Sequence, residues 1–297
     1  HILVFSQGPM LRNAQIREAS QFAILLDQFS ISAEELASRR TEGDRSAITM
    51  TRFDGRSYTI SFVRQDERWF IDMPAAAEVR DTLKDIFADR GGRIPAQSQV
   101  FQLQTPRDTM AAFLSSLRAG PGGMDTAMET LNLSELSPVV RDREAVLLAE
   151  YLNEILARIG EVVFQEIPND PASEAPYVHF VHPEGSIVIG PVQTDKGVKW
   201  QFTPETLQSI RTLYAATENL PPGKHVLPYT AASTAPFFRI RNFLSDQMPA
   251  ALAPLGPLEA WQWAALVLLA LSAVLGGLIV GALPHLSHML SRDAEEP

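Results

Sequence analysis

The sequence predicts an α+β protein: two small units, each with helices packed on an antiparallel sheet, followed by a proline-rich linker and one transmembrane helix. Three observations predict it. Residues Trp261 to Leu283 run for 23 positions without a charge. Upstream, stretches with apolar residues at threes and fours alternate with stretches of period two broken by polar turns. From Pro221 to Pro257 prolines are frequent and periodicity is lost, apart from a short FFRIRNFL stretch.

The apolar run WQWAALVLLALSAVLGGLIVGAL makes a helix of roughly 34 Å at 1.5 Å per residue, against a hydrocarbon core of about 30 Å. Eleven of its residues are Leu, Ile or Val, each favouring insertion by about 0.3 to 0.6 kcal/mol near the bilayer centre. A buried helix of a soluble core is the alternative, but such helices are seldom this long and this uniformly apolar. Residues 260–284 are therefore read as the membrane span and 285–297 as a juxtamembrane tail. Trp261 and Trp263 mark one interface, and Pro284, His285 and His288 the other. The lipid bilayer is the first expected partner. Orientation is not readable from charge, because Arg241 on one side balances Arg292 on the other. Ala273, Gly277 and Gly281 recur every four residues, a groove where a second helix can approach closely; the alternative is that glycine is common in membrane helices.

The first unit spans residues 1–94. Residues 13–40 carry a helical pattern through Ile16, Phe22, Leu25, Leu26 and Phe29. SAITMTRFDGRSYTISFVRQDERWFIDMP then reads as consecutive strands, with Asp54-Gly55 a hairpin signal and Gln65-Asp66-Glu67-Arg68 a second polar turn. A helix follows Pro74 with Val79, Leu83 and Ile86 on one face, and Gly91-Gly92 stops it.

The second unit spans residues 95–225. Thr105-Pro106-Arg107-Asp108 is a helix start, with Thr as cap, Pro in the first turn and Asp answering the capping residue. Met110, Phe113, Leu114 and Leu117 form its buried stripe. The glycines of 119–123 lead into a short helix and LNLSELSP into a longer one. There Leu148, Tyr151, Leu152, Ile155, Leu156 and Ile159 share a face, while Arg143, Glu150, Glu154 and Arg158 point away; Gly160 ends it. Strands are expected at EVVFQEI, PYVHFVH, SIVIGPV and KWQF, then a capped helix TPETLQSIRTLYAA with Leu207, Ile210, Leu213 and Tyr214 inward. Gly55 and Gly185, Pro74 and Pro204, and Thr82-Leu83 and Thr212-Leu213 lie at one constant spacing, and Trp69 and Trp200 fit with a one-residue slip. This reads either as a duplication or as shared hairpin grammar. Residues 226–259 read as a semi-rigid connector.

Composition excludes several chemistries. The net charge is −10, which argues against nucleic acid and against docking on anionic headgroups. There are no cysteines, so disulfides and thiolate chemistry are absent. His179 and His182 lie on a strand at a spacing that points them to opposite faces, so they do not share a metal ion. His285 and His288 sit just past the apolar run, where polar residues need no special role. The glycines at 120, 122 and 123 lack the Lys-Ser/Thr and the preceding strand of a phosphate loop. No nucleophile elbow or His-Glu-x-x-His appears. No catalytic residue, cofactor site or metal site is assigned, and the chain is not expected to be an enzyme.

Read together, TPRDTMAAFLSSL, LNLSEL, LAEYLNEILARIG, EIPNDP, PYVHFVHPEGSIVI and KWQFTPETLQSIRTLYAA resemble the extramembrane region of bacterial MscS-like mechanosensitive ion channels with long amino-terminal extensions. The resemblance covers residues 105–217 and the membrane helix after a short linker. Its motifs are helix starts and core positions, so they identify a domain and not a chemistry. It implies a homo-oligomeric channel, usually a heptamer, in the bacterial inner membrane with the soluble units periplasmic. Such a channel opens under bilayer tension and releases ions and small solutes in osmotic downshock. The family's Gly/Ala-rich pore helix should follow further membrane helices, so no pore residue is transferred; the amino end at His1 and the acidic carboxyl end are both read as trimmed. Two other readings stand beside it. One is a membrane-anchored envelope binding or scaffold protein without channel activity. The other is an anchored hydrolase, for which no nucleophile–base pair can be named.

Overall fold

The computed structural model describes residues 3–4, 12–88, 102–195, 197–221, 223 and 235–293. It is mixed α+β and falls into two compact units, residues 1–232 and 233–297. The larger unit holds both helix-and-sheet arrangements expected from the sequence.

The first arrangement runs β1 (Leu3–Val4), α1 (Arg12–Asp27), α2 (Ala33–Ala37), β2 (Arg40–Glu42), β3 (Arg45–Thr51), β4 (Ser57–Gln65), β5 (Arg68–Asp72) and α3 (Ala76–Ile86). Strands β2 to β5 form an antiparallel meander, with β1 parallel to β5 at its edge. The Asp54-Gly55 hairpin closes with Gly55 at φ +85°, a conformation that costs glycine little. In the second hairpin Asp66 and Glu67 both take positive φ, the two-residue mirror-image turn whose twist matches that of the strands. Phe22, Leu25, Phe29, Met50, Ile60, Met73, Val79 and Leu83 pack into one core.

The helical pattern of residues 13–40 is not continuous. Ser30 pairs with Thr51 of β3, N–H to carbonyl in both directions at 2.9 and 3.0 Å. Ser32 then starts a new helix as the N-cap of a capping box with Glu35. The sheet takes the backbone groups that a longer helix would have used. Ile16, at the far end of the pattern, is 57% exposed.

The second arrangement runs α4 (Pro106–Arg118), α5 (Met124–Glu129), α6 (Arg141–Leu156), β6 (Tyr177–His182), β7 (Gly185–Thr194), β8 (Gly197–Phe202) and α7 (Pro204–Thr217), with sheet order β6-β7-β8. Thr105 caps α4 by accepting from the Asp108 N–H at 3.1 Å. The Asp108 carboxylate accepts from the Gln104 N–H at 3.1 Å, one residue earlier than a standard capping box, because Leu103 at φ +52° turns the chain there. Thr203 caps α7. Met110, Phe113, Leu148, Leu152, Ile155, Ile187, Ile189, Trp200, Phe202, Ile210 and Leu213 are buried. Phe113 meets Phe202, and Tyr151 meets Tyr214, edge to face.

Two expectations for this region are overturned. EVVFQEI forms no strand; a single 3-10 turn spans Phe164–Glu166. The Gln165 carbonyl accepts from the Ile31 N–H of the first arrangement at 2.7 Å and the Ile167 carbonyl accepts from the Arg107 side chain of α4, so these groups serve tertiary contacts and not a sheet ladder. Glu150 does not point away: it is 1% exposed. Helix α6 is flanked by both α5 and α7, which widens its buried arc beyond the apolar stripe. The Gly91-Gly92 stop lies outside the described residues.

Both arrangements run through two hairpins into a helix, β3-β4-β5-α3 and β6-β7-β8-α7. Their tryptophans are not equivalent. Trp200 is fully buried, whereas Trp69 is 42% exposed. A one-residue slip along a strand moves a side chain to the other face of the sheet.

The second unit runs α8 (Pro236–Gln247), a 3-10 turn at Pro249–Leu252, the short antiparallel pair β9 (Pro254–Leu255) and β10 (Leu258–Glu259), and α9 (Ala260–Asp293). Residues 235–259 are thus folded and not an aperiodic connector. Pro236 sits at the first turn of α8, where its missing N–H costs nothing, and Phe238 and Leu244 are buried. Helix α9 passes through Pro284 to Asp293 and does not end at residue 284. One proline removes a single hydrogen bond, which a long helix tolerates. At 34 residues it is about 51 Å long.

Candidate functional site

Helix α9 is the segment with a readable physical role. Residues Ala260–Val280 have a mean hydropathy of 2.5 and none of that stretch is buried. Among the described residues it is one helix long and apolar enough to cross a membrane. Leu268, Leu269, Val274, Leu278 and Val280 are each more than 60% exposed. Left in water, such a surface would cost about 25 cal/mol per Å2, and the patch far exceeds what soluble monomers leave uncovered.

The start of α9 is a built collar. Glu259 is its N-cap residue, and the Gln262 side chain accepts from the Glu259 N–H at 2.9 Å, half of a capping box. The Glu259 carboxylate is divided between two partners. Arg241 of α8 donates to one oxygen from Nε and Nη2 at 3.2 and 2.8 Å. The Trp261 indole donates to the other at 2.6 Å. Trp263 donates to the Leu255 carbonyl at 2.8 Å. The Phe237 ring lies 6.2 Å from that of Trp261. Trp261 and Trp263 therefore have their indole N–H groups satisfied by protein, and the network ties α8 to the mouth of α9. In the sequence Arg241 reads as a loose flanking cation; the signal that would have found its role is Glu259, two residues before the apolar run.

Of the expected packing face, an added Cβ at Gly277 meets nothing within 4 Å, so this side of α9 is open. Gly281, His285 and His288 lie on the helix beyond the residues whose side-chain surroundings are described. Pro284 sits within α9 and does not end it.

The most elaborate polar arrangement is in the larger unit and centres on Arg107, which is 2% exposed. Its Nε and Nη2 donate to the Ile167 carbonyl at 3.0 and 2.9 Å, Nη1 donates to the Asp27 carbonyl at 2.6 Å, and Nη2 donates to the Ser30 hydroxyl at 2.7 Å. Asn169 donates to the same Asp27 carbonyl at 2.8 Å and accepts from Thr105. Asp27 is the last residue of α1, so the cation sits at the negative end of that helix. Burial pulls Arg107 down to about 10, the Asp27 charge and hydrogen bonding opposing the shift; it remains a cation at neutral pH. Arg107 thus staples α1 to α4 and the Ile167 loop. The sequence placed it only inside a helix-start signature.

His179 and His182 have separate partners. Strand β6 carries a bulge between Val178 and Phe180, which strict alternation does not anticipate. The Tyr177 hydroxyl lies 3.2 Å from His179 Nδ1, and His182 Nδ1 accepts from the Glu184 N–H at 3.2 Å. Burial holds His179 below the ordinary histidine range. Among the described residues no three metal-ligating side chains come together. A groove of about 230 Å3 between α6 and α7 has Leu136, Leu148 and Leu207 in its wall and the pairs Gln208–Glu135 and Arg211–Glu144 at its rim.

No family model, no curated protein and no solved structure matches this chain.

Proposed function

We propose that this chain is the extramembrane amino-terminal region and first membrane span of a mechanosensitive channel of the MscS-like kind. On this reading it sits in a bacterial inner membrane, with the soluble units in the periplasm and copies assembled around a pore. The observation that carries the reading is Ala260–Val280 of α9, an uncharged 21-residue stretch of mean hydropathy 2.5, none of it buried. The resemblance across residues 105–217 supports it further, because its motif residues converge in space. Thr109 donates to the Trp200 carbonyl at 2.7 Å, Phe113 packs on Phe202, and Thr206 accepts from the Val188 N–H at 2.9 Å.

Helix α9 has no polar stripe and so cannot line a water path by itself. Its place is at the lipid-facing periphery, with the Ala273–Gly277–Gly281 side available to a neighbouring helix. The test is pressure-clamp recording from membranes containing the full-length gene product. The expected result is a conductance that opens with suction and is absent from membranes lacking the protein. A protein present in the membrane and silent at lytic tension would leave the anchored scaffold as the reading.

A further inference from the structure

Helix α8 carries an apolar face that its own unit does not cover. Ile240 and Phe243 are 45% and 60% exposed, and their spacing of three places them on one side of the helix. Phe238, on the opposite side, and Leu244, at the edge of this face one turn beyond Ile240, are buried. Met248 and Leu255, just beyond the helix, are 52% and 60% exposed. Arg239 is exposed beside this face. Soluble surfaces tolerate scattered apolar residues, but Ile240 and Phe243 share one side of the helix, and Met248 and Leu255 add exposed apolar surface within the sixteen positions that lead toward the apolar helix.

The collar decides what covers it. Arg241, from the side of α8 away from Ile240 and Phe243, is bonded to Glu259, the residue before α9. Phe237 packs near Trp261. The two bonds to one carboxylate oxygen and the ring contact fix α8 to the first turn of α9. If α9 spans the bilayer, its first turn with Trp261 and Trp263 lies at headgroup level, and α8 is held at that level with it. An amphipathic helix there buries its apolar face at the boundary of headgroups and acyl chains.

We propose that α8 is a membrane-surface helix, with Ile240 and Phe243 seated in the headgroup–acyl boundary of the leaflet that surrounds the start of α9. This rests on the membrane-anchor reading of α9. The ligand is lipid acyl chain and glycerol backbone, and the contact is apolar more than ionic: the chain is acidic overall, and Arg241 is already committed to Glu259. Membrane seating therefore does not require anionic lipid, which Arg239 can favour by one headgroup contact. In-plane expansion of that leaflet then acts on α8 as well as on α9.

The chain has no cysteine, so single-cysteine variants label without background. A nitroxide is placed in turn at Ile240, Phe243, Ser245 and Val274 of the full chain, reconstituted in nanodiscs of neutral phosphatidylcholine. Collision with oxygen, which partitions into lipid, is compared with collision with a water-soluble nickel chelate. Expected are oxygen-dominated collisions at 240 and 243, nickel-dominated collisions at 245, and the deepest lipid signal at 274. Nickel-dominated collisions at 240 and 243 with 274 in lipid overturn the proposal and leave the anchor standing. Loss of both kinds of collision at 240 and 243 also overturns it, because protein and not lipid then covers the face. A nickel-accessible 274 removes the anchor reading, and the proposal with it.

Discussion

Replacing Arg107 by Ala tests whether one guanidinium holds the two halves of the larger unit together. Four acceptors are at stake: the Ile167, Asp27 and Gln165 carbonyls and the Ser30 hydroxyl. The Asp27 carbonyl retains Asn169 and the hydroxyl can rotate. The Ile167 carbonyl loses both of its bonds to Arg107, and orphaning it costs about 1–3 kcal/mol. Deleting a long side chain that is 2% exposed adds a cavity cost of about 2 kcal/mol. Against these stands the recovered burial cost of the cation, which the depressed pKa puts at a few kcal/mol at most. The net is a loss of about 1–3 kcal/mol, or roughly 2–12 °C in Tm for a unit of this size. Arg107→Met fills the cavity but supplies no donor, and should fall between wild type and Ala. Thermal unfolding of the full chain in nanodiscs gives the order. Hydrogen exchange gives the place: the Ile31 amide, bonded to the Gln165 carbonyl, should lose protection first. A Met variant as stable as wild type, with Ile31 still protected, would refute the staple.

Three further outcomes follow from the geometry. A Cβ at Gly123 would overlap the Ser116 backbone carbonyl of α4, and backbone cannot step aside cheaply; Gly123→Ala should cost about 1–3 kcal/mol, read as a fall in Tm, and an unchanged Tm would contradict the close approach. Burial holds His179 below its ordinary 6.5, so the unfolded chain takes up a proton that the fold resists. Stability is full above pH 6.5 and falls as pH drops below it toward the depressed folded value; His179→Gln should flatten that part of the Tm–pH curve, and an unaltered slope would assign it elsewhere. Gly277→Leu with Gly281→Leu fills the small-residue side of α9 and should weaken detergent-stable assembly seen by cross-linking; assembly at wild-type level would show that this side packs on nothing.

Where chemistry and periodicity agreed, the fold was legible. The Asp54-Gly55 turn, the Thr105 and Thr203 caps and the Val79–Leu83–Ile86 stripe depend on local geometry, which three or four residues determine. Features set by distant neighbours were not legible. Residues 13–40 hold one helical period, yet Ser30 pairs with Thr51 on a strand that the local pattern cannot see. Glu150 is charged and still buried, because α5 and α7 both close on α6. The bulge at His179 comes from the pairing of β6 with β7, and no residue in YVHFVH announces it. At the candidate site the two tryptophans were legible as an interfacial pair. Their partners were not, since Glu259 and Arg241 acquire meaning only when α8 folds back beside the start of α9.

The residues that carry the family resemblance do structural work of one kind. Thr105 and Thr203 cap helices, Thr109 ties α4 to β8, Thr206 ties α7 to β7, and Arg107 ties α4 to α1. Each is a polar side chain with its partners supplied inside the protein, and such groups are costly unless the surrounding elements keep their places. Here the buried guanidinium of Arg107 donates to backbone carbonyls and the Ser30 hydroxyl and pairs with the Asp27 carboxylate, and the collar carboxylate is divided between an arginine and an indole. Partners of this kind fix the elements against one another, because moving any one of them would strand a polar group. The motif residues at 105, 109, 203 and 206 are therefore legible in sequence as helix starts, while the ties they make across the sheet appear only in the fold.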